Sequence, residues 1–145
     1  MLSFSPELVE LAVQLLREHS ELPELGSVNV TEFGTGRISL HLSVGHESQL
    51  HAVALWAQAL RTDVVLSWQS GTDVKVTATA QVLAADLAQP ARVEVWAYLD
   101  LPEVLTAVTV LGIAPGAGTG PVHIGPARVL QLLGAAPAGD LAVAR

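Results

Sequence analysis

Residues 74–99, VKVTATAQVLAADLAQPARVEVWAYL, hold the pattern that decides the fold. Val74, Val76, Ala78, Ala80 and Val82 alternate with Lys75, Thr77, Thr79 and Gln81. After a loop around 85–90 the alternation resumes, with Val93, Val95, Ala97 and Leu99 against Arg92, Glu94, Trp96 and Tyr98. A period of two belongs to a strand that buries one face and wets the other. Strands of this kind make a sheet that needs a cover on a single side.

Upstream, residues 64–68 are rich in strand-favouring side chains, and Ser70-Gly71-Thr72-Asp73 reads as a turn. A helix is predicted over about 47–60, with Leu50, Val53, Ala54, Ala57 and Leu60 as its apolar stripe. Two more strands are predicted over 28–33 and 37–44, the second alternating Ile38, Leu40, Leu42 and Val44 with Ser39, His41 and Ser43. Gly34-Thr35-Gly36 joins them, and its glycines supply the positive φ of a tight hairpin turn. The chain opens with a further helix. Ser5 caps it, Pro6 takes its first position, and Leu8, Leu11, Ala12, Leu15 and Leu16 form its stripe until Pro23 and Gly26 end it.

Downstream, Asp100 and Glu103 have the spacing of an N-cap followed by an acidic residue, which predicts a helix over 101–111 closed by Gly112. The β-branched run Val104, Thr106, Val108, Thr109 and Val110 makes a strand the rival reading. Residues 115–121 are a loop by composition, Gly125-Pro126 opens a short helix over 127–133, and the tail 134–145 has no periodicity and is expected to be mobile. The predicted order is α-β-β-α-β-β-β-α with a short helical coda. It describes a single two-layer α+β domain over 1–133, with a mainly antiparallel sheet of about five strands and helices on one face.

Composition narrows the function. With 145 residues the chain has the length of one domain, and 50% apolar against 14% charged residues excludes general disorder. Seven basic and fourteen acidic side chains give a net charge of -7, which argues against broad electrostatic binding to nucleic acid or anionic lipid. The absence of cysteine excludes disulfides, thiolate metal sites and cysteine nucleophiles. The start lacks a basic n-region, and no apolar run reaches the roughly 18 residues of a membrane span. Asn29-Val30-Thr31 fits the glycosylation pattern but has no secretory signal before it. A cytoplasmic protein without a membrane partner is the expectation.

Several constellations invite a chemical reading. His46-Glu47-Ser48-Gln49-Leu50-His51 has one residue more than H-E-x-x-H, and five helical residues turn the two rings about 140° apart. His41 on a strand end, with Ser43 and with His46 near the helix cap, could instead supply polar groups to a ligand pocket; no third metal ligand is identified, so no metal is assigned. Gly116-Ala117-Gly118-Thr119-Gly120 fails G-x-G-x-x-G in either register and lacks the lysine of a phosphate-cradling loop, which leaves a connector and no cofactor. No G-x-S-x-G elbow exists, and Glu94 with Asp100, or Asp63 with Asp73, could be paired carboxylates in space, but sequence does not place them at the separations a catalytic dyad uses. No catalytic residue is assigned.

The strongest feature is the polar side of residues 91–99. Trp96 and Tyr98 share it with Arg92 and Glu94, and Thr77 stands on the polar side of the neighbouring strand. Aromatic and arginine side chains are the anchors of protein interfaces, whereas a helix of the same chain laid across that face would bury both rings internally. Trp56 and Trp68 read as core.

The segment ISLHLSVGHESQLHAVALWAQAL (38–60) together with ARVEVWAYLD (91–100) resembles small uncharacterised proteins of actinobacterial genomes, their phages and mobile elements. The likeness covers under half of the chain. It implies an α+β fold and a bacterial or phage origin, and it carries no catalytic residue.

The leading expectation is therefore a non-enzymatic protein–protein interaction module. It would self-associate as a homodimer, or bind another protein, through the face of Trp96, Tyr98, Arg92, Glu94 and Thr77. One alternative is a small-molecule-binding or enzymatic domain with a pocket near His41, Ser43 and His46. A second is an acidic chaperone-like adaptor.

Overall fold

In a computed structural model of the chain, the strands Val74–Val82 (β4) and Ala91–Leu99 (β5) pair antiparallel over their full length, Val74 opposite Leu99 and Val82 opposite Ala91. The structure describes residues 6–22, 25–33, 35–42, 48–69, 73–83, 90–113 and 120–135. Around the central pair lie β1 (Leu25–Phe33), β2 (Thr35–Leu42), β3 (Val64–Trp68) and β6 (Val122–Ile124), in the order β1-β2-β5-β4-β3-β6. Every pairing is antiparallel except that of β2 with β5. The helices are α1 (Pro6–Glu18), α2 (Gln49–Leu60), α3 (Leu101–Thr109) and α4 (Pro126–Ala135).

The parallel step has a simple origin. The helix α2 carries the chain from β2 to β3 as a crossover, and β4 and β5 then fold back into the gap between those two strands. α2 lies across β4 and β5 and α4 packs on α2, while α1 covers β1 and β2. The inward side chains of the strands, Ile38, Leu40, Val76, Val93 and Val95 among them, join Leu8, Leu11 and Leu15 of α1 and Leu50, Val53 and Trp56 of α2 in one buried cluster. Val104 and Ala107 of α3 and Val129 of α4 belong to the same cluster. The α+β two-layer architecture with helices on one side is thus the one the alternation predicts.

Local chemistry sets the helix boundaries. Ser48 caps α2, its hydroxyl accepting from the His51 N–H at 3.0 Å, and Arg61 closes the helix in the left-handed region at φ 57°. Asp100 caps α3, accepting from the Glu103 N–H at 3.0 Å. The helical reading of this segment holds over Leu101–Thr109, two residues short of the expected end, because the β-branched run carries its own compensation. Thr106 and Thr109 donate their hydroxyls to the carbonyls of Pro102 and Leu105, one turn back. Gly112, at φ 69°, ends the segment in the conformation that glycine adopts without strain.

Several expectations need correction. Among the described residues the sheet has six strands: β6 escapes the sequence pattern because a three-residue strand between glycines and prolines shows no period, and only its pairing with β3 defines it. Gly26 lies inside β1, at the register shift between Leu25 and Ser27, and does not terminate a helix. The second strand starts at Thr35, which pairs with Phe33; Gly34 lies outside the described residues. Gly36 has no positive φ. Its role is close approach: a Cβ there would stand 2.9 Å from Leu8 Cδ1 and 3.0 Å from Cδ2, so the missing side chain is what lets α1 sit down on β2. The last helix also runs through Ala135, so the stretch 134–135 is helical, and the rest of the expected tail lies outside the described residues.

Candidate protein-binding face

Since the strands point alternate side chains to opposite faces, burying Ile38, Val76 and Val93 under the helices turns Ser39, Thr77 and Glu94 the other way. Among the described residues no helix covers this second face. Register aligns it into rows. One row crosses all six strands: Ser27, His41, Trp96, Thr77, Val65 and His123. Toward one end follow Asn29, Ser39, Glu94 and Thr79, then Thr31, Arg37, Arg92 and Gln81. Toward the other end Tyr98 stands opposite Lys75, and Lys75 opposite Ser67.

Trp96 is the organising side chain. Its ring stacks on His41 with centroids 4.1 Å apart and planes at 19°, and meets Tyr98 edge-on at 5.8 Å. Its Nε1 donates to the Ser39 hydroxyl at 2.8 Å, and Lys75 Nζ stands 5.0 Å from the ring centroid. The indole is therefore fixed from β2 on one side and β4 on the other, half-buried by its own sheet. Tyr98 is different: it is 52% exposed.

The row beside Trp96 carries an ion pair. Arg37 donates to Glu94 Oε1 at 3.2 Å; Glu94 is 7% exposed, whereas the Arg37 side chain is 47% exposed. Arg92 is directly opposite Arg37 in register and forms no ion pair among the described residues. Arg37, Lys75 and Arg92 are the cations of this face; Glu94 lies among them, and the exposed Asp73 and Asp100 continue the alternation of Lys75 and Tyr98 at its other end.

All five residues expected at an interface, Trp96, Tyr98, Arg92, Glu94 and Thr77, thus lie on one face. The structure adds Arg37, Ser39 and Lys75 to their contacts. Lys75 was legible from its alternation on β4, but Arg37 and Ser39 were not, since only the parallel register of β2 with β5 brings them beside Glu94 and Trp96. Of the expected ligand residues, His41 is spent on Trp96, and Ser43 and His46 lie outside the described residues. So does the glycine-rich loop up to Thr119.

The candidate carboxylate pairs are not pairs. Glu94 and Asp100 are six residues apart on one extended stretch, roughly 20 Å. Asp63 and Asp73 precede β3 and β4, which run antiparallel, so they fall at opposite ends of that hairpin. Among the described residues no group of three or more His, Cys, Asp or Glu side chains could hold a metal ion, and no helix is long and apolar enough to cross a membrane. A groove of about 420 Å³ lies between β6 and α4, lined by Val122, Ile124 and Leu132 with His123 and Arg128, away from His41.

Glu103 is the one group among the described residues with a shifted titration, and it belongs to the framework. Burial raises its pKa above the ordinary carboxylate value; the Ser48 hydroxyl and the Leu50 N–H, which its Oε1 accepts at 3.2 Å, oppose the rise, and the Asp100 charge adds to it. The carboxylate that a capping box would take from α2 itself is supplied to α2 by α3.

No protein-family model matches the chain, no curated protein shows significant similarity to it, and no solved structure matches it significantly. The functional reading rests on the face itself.

Proposed function

We propose that this chain is a non-enzymatic protein–protein interaction module that binds through the uncovered face of its sheet. The observation that carries the reading is the half-exposed Tyr98 ring, held beside an immobilised Trp96 on a face with no helix over it among the described residues. Tyrosine, tryptophan and arginine dominate interface energetics, and a ring already fixed by stacking and a hydrogen bond loses little entropy when a partner docks. The side chains gathered here are engaged with one another in contacts, with His41 stacked and the Ser39 hydroxyl accepting from the indole, an arrangement suited to binding.

A homodimer and a complex with another protein are the two forms of this reading, and a chaperone-like adaptor would be a case of the second. Their common test is Tyr98→Ala. Anchors of this type cost about 2 kcal/mol or more on truncation, roughly a thirtyfold loss of affinity. Sedimentation velocity on the wild type and the variant reads self-association. Co-purification of each from the native host reads a second protein, with circular dichroism confirming that the variant folds. Complexes that survive Tyr98→Ala and Trp96→Ala unchanged would refute the face. The cysteine-free composition fits a cytoplasmic setting for such a module.

A further inference from the structure

We infer that β1 is an interface to a second copy of this chain: two β1 strands pair antiparallel about Asn29 and join two sheets edge to edge, with their α1 helices side by side. The inference is independent of the Trp96 face, which this pairing leaves open.

Among the described residues β1 ends the sheet, and one side of its backbone has no strand beside it. Nine residues long, it has neither the lysine nor the proline nor the short length that blunts an exposed edge, and its bulge lies at one end, at Gly26. Val28 shares the inward parity of its register partner Leu40 yet is 37% exposed, so the inner side of this edge is incompletely covered. On α1, Val9 and Val13 are also exposed, and with Leu16 they form one flank of the helix, beside the buried stripe of Leu8, Leu11, Ala12 and Leu15.

That flank points to the open edge. Leu8 lies over Gly36 near the start of β2, and Leu25 pairs with Leu42 at its end, so α1 runs in the direction of β2. For a right-handed crossover β2-α2-β3, the hand that such connections take, a helix with that direction turns Val9, Val13 and Leu16 toward β1 and beyond. Gln14 and Glu18, hydrogen-bonded to each other, fall on the opposite flank.

Spacing, register and charge single out a second copy as the occupant. α1 covers β1 and β2, and centred between them it lies half a strand spacing inside the edge. Two β1 strands about 4.8 Å apart therefore bring the two α1 helices to about 10 Å, the distance at which helices pack. Pairing about Asn29 sets Val28 opposite the other copy's Val30 and Ser27 opposite its Thr31, so apolar meets apolar on the inner side and polar meets polar on the outer. Gly36, under Leu8, is the register partner of Glu32; from there to Asn29 is three residues, about 10 Å, which α1 covers in about seven residues. The same two-fold axis thus passes between Val13 and Leu16, and each faces the other across the helix pair. On a chain of net charge -7 identical molecules repel, and Ser27–Thr31 with this flank is a stretch without a charged side chain. The two copies of Glu32 fall at opposite ends of the paired stretch, about 20 Å apart. An unrelated strand would complete the backbone bonds but leave Val9 and Val13 uncovered.

The chain has no cysteine, so Asn29→Cys carries a single thiol. On the axis its Cα lies about 4.5–5.5 Å from that of the other copy, within disulfide range. In Ser27→Cys the two thiols are four residues apart, roughly 13 Å. Mild oxidation of the full-length variants, read on non-reducing gels, is expected to cross-link Asn29→Cys about tenfold faster or more than Ser27→Cys. Sedimentation velocity is expected to show a wild-type dimer, weakened about tenfold or more by Val13→Glu and by Val28→Lys, each of which buries an unpaired charge in both copies. Both positions are exposed in one copy, so circular dichroism is unchanged. Edge pairing leaves Trp96 and Tyr98 open, so Tyr98→Ala keeps this dimer, and association through the sheet face is read in the Val13→Glu background.

A wild type that sediments as a monomer while Asn29→Cys stays unlinked overturns the inference and leaves the reading of the sheet face standing. A dimer that dissociates in Tyr98→Ala but persists in Val13→Glu and Val28→Lys puts self-association on the Trp96 face and overturns it too. Faster cross-linking of Ser27→Cys than of Asn29→Cys overturns the pairing about Asn29.

Discussion

The uncovered face exists only because α1 sits on the other side of the sheet, and the contact between Leu8 and Gly36 tests that placement. Leu8 is 1% exposed, so Leu8→Ala removes three buried carbons and leaves a cavity, for a loss of about 2–5 kcal/mol. Gly36→Ala adds a methyl 2.9 Å from Leu8 Cδ1, 3.0 Å from Cδ2 and 3.5 Å from Cγ. Leu8 is locked in the core and cannot swing aside, so overpacking costs about 1–3 kcal/mol. Removing a glycine from a strand returns about 0.5–1 kcal/mol, leaving a net loss near 1 kcal/mol.

The double variant behaves differently, because the two Cδ atoms that the new methyl strikes, and the Cγ in contact with it, are the three that Leu8→Ala deletes. In the Leu8→Ala background the clash is gone, the strand benefit remains and the methyl fills part of the cavity. Gly36→Ala therefore changes sign there and stabilises by about 0.5–1.5 kcal/mol, a coupling of about 2 kcal/mol. Urea unfolding of the four proteins, followed by far-ultraviolet dichroism and tryptophan fluorescence, measures it. Effects that add to within about 0.5 kcal/mol would show that Leu8 and Gly36 do not touch. Helix α1 would then be free to lie over Trp96 and Tyr98, and the functional proposal would lose its premise.

Three further outcomes are expected. Trp96→Phe keeps an aromatic ring but deletes the 2.8 Å hydrogen bond to Ser39, and should cost about 1 kcal/mol in urea unfolding; no loss would mean the indole is not held from β2. Ser48→Ala removes the cap of α2 and should cost about 1 kcal/mol, read as a lower thermal midpoint, with an unchanged midpoint counting against the cap. Glu103 has a folded-state pKa raised chiefly by burial, so its protonated form favours the folded state; that stability is present below the ordinary carboxylate pKa and is lost as pH rises through the raised value. Relative to Glu103→Gln, the wild type should therefore lose stability with rising pH across that window, and a pH-independent difference would contradict the raised pKa.

Local sequence determined much of this protein. Alternation of Val74 to Val82 and of Ala91 to Leu99 set two strands and their inward faces, because a period of two leaves a strand no choice of which side chains to bury. Asp100 with Glu103 set a helix start against a β-branched run, because capping acts within one turn. From the same parity came the shared face of Trp96, Tyr98, Arg92 and Glu94.

Neighbours distant in sequence were decided only by the tertiary structure. Nothing in residues 35–42 says that they lie parallel to β5, yet that register brings Arg37 to Glu94, Ser39 to the indole and His41 under it. Gly36 looked like a turn residue until Leu8 was seen above it. The strand β6 is too short to show a period and exists through its bonds to β3. Pairing of this kind depends on which strands the crossover helix leaves room for, a property of the whole packed chain that no window of sequence contains.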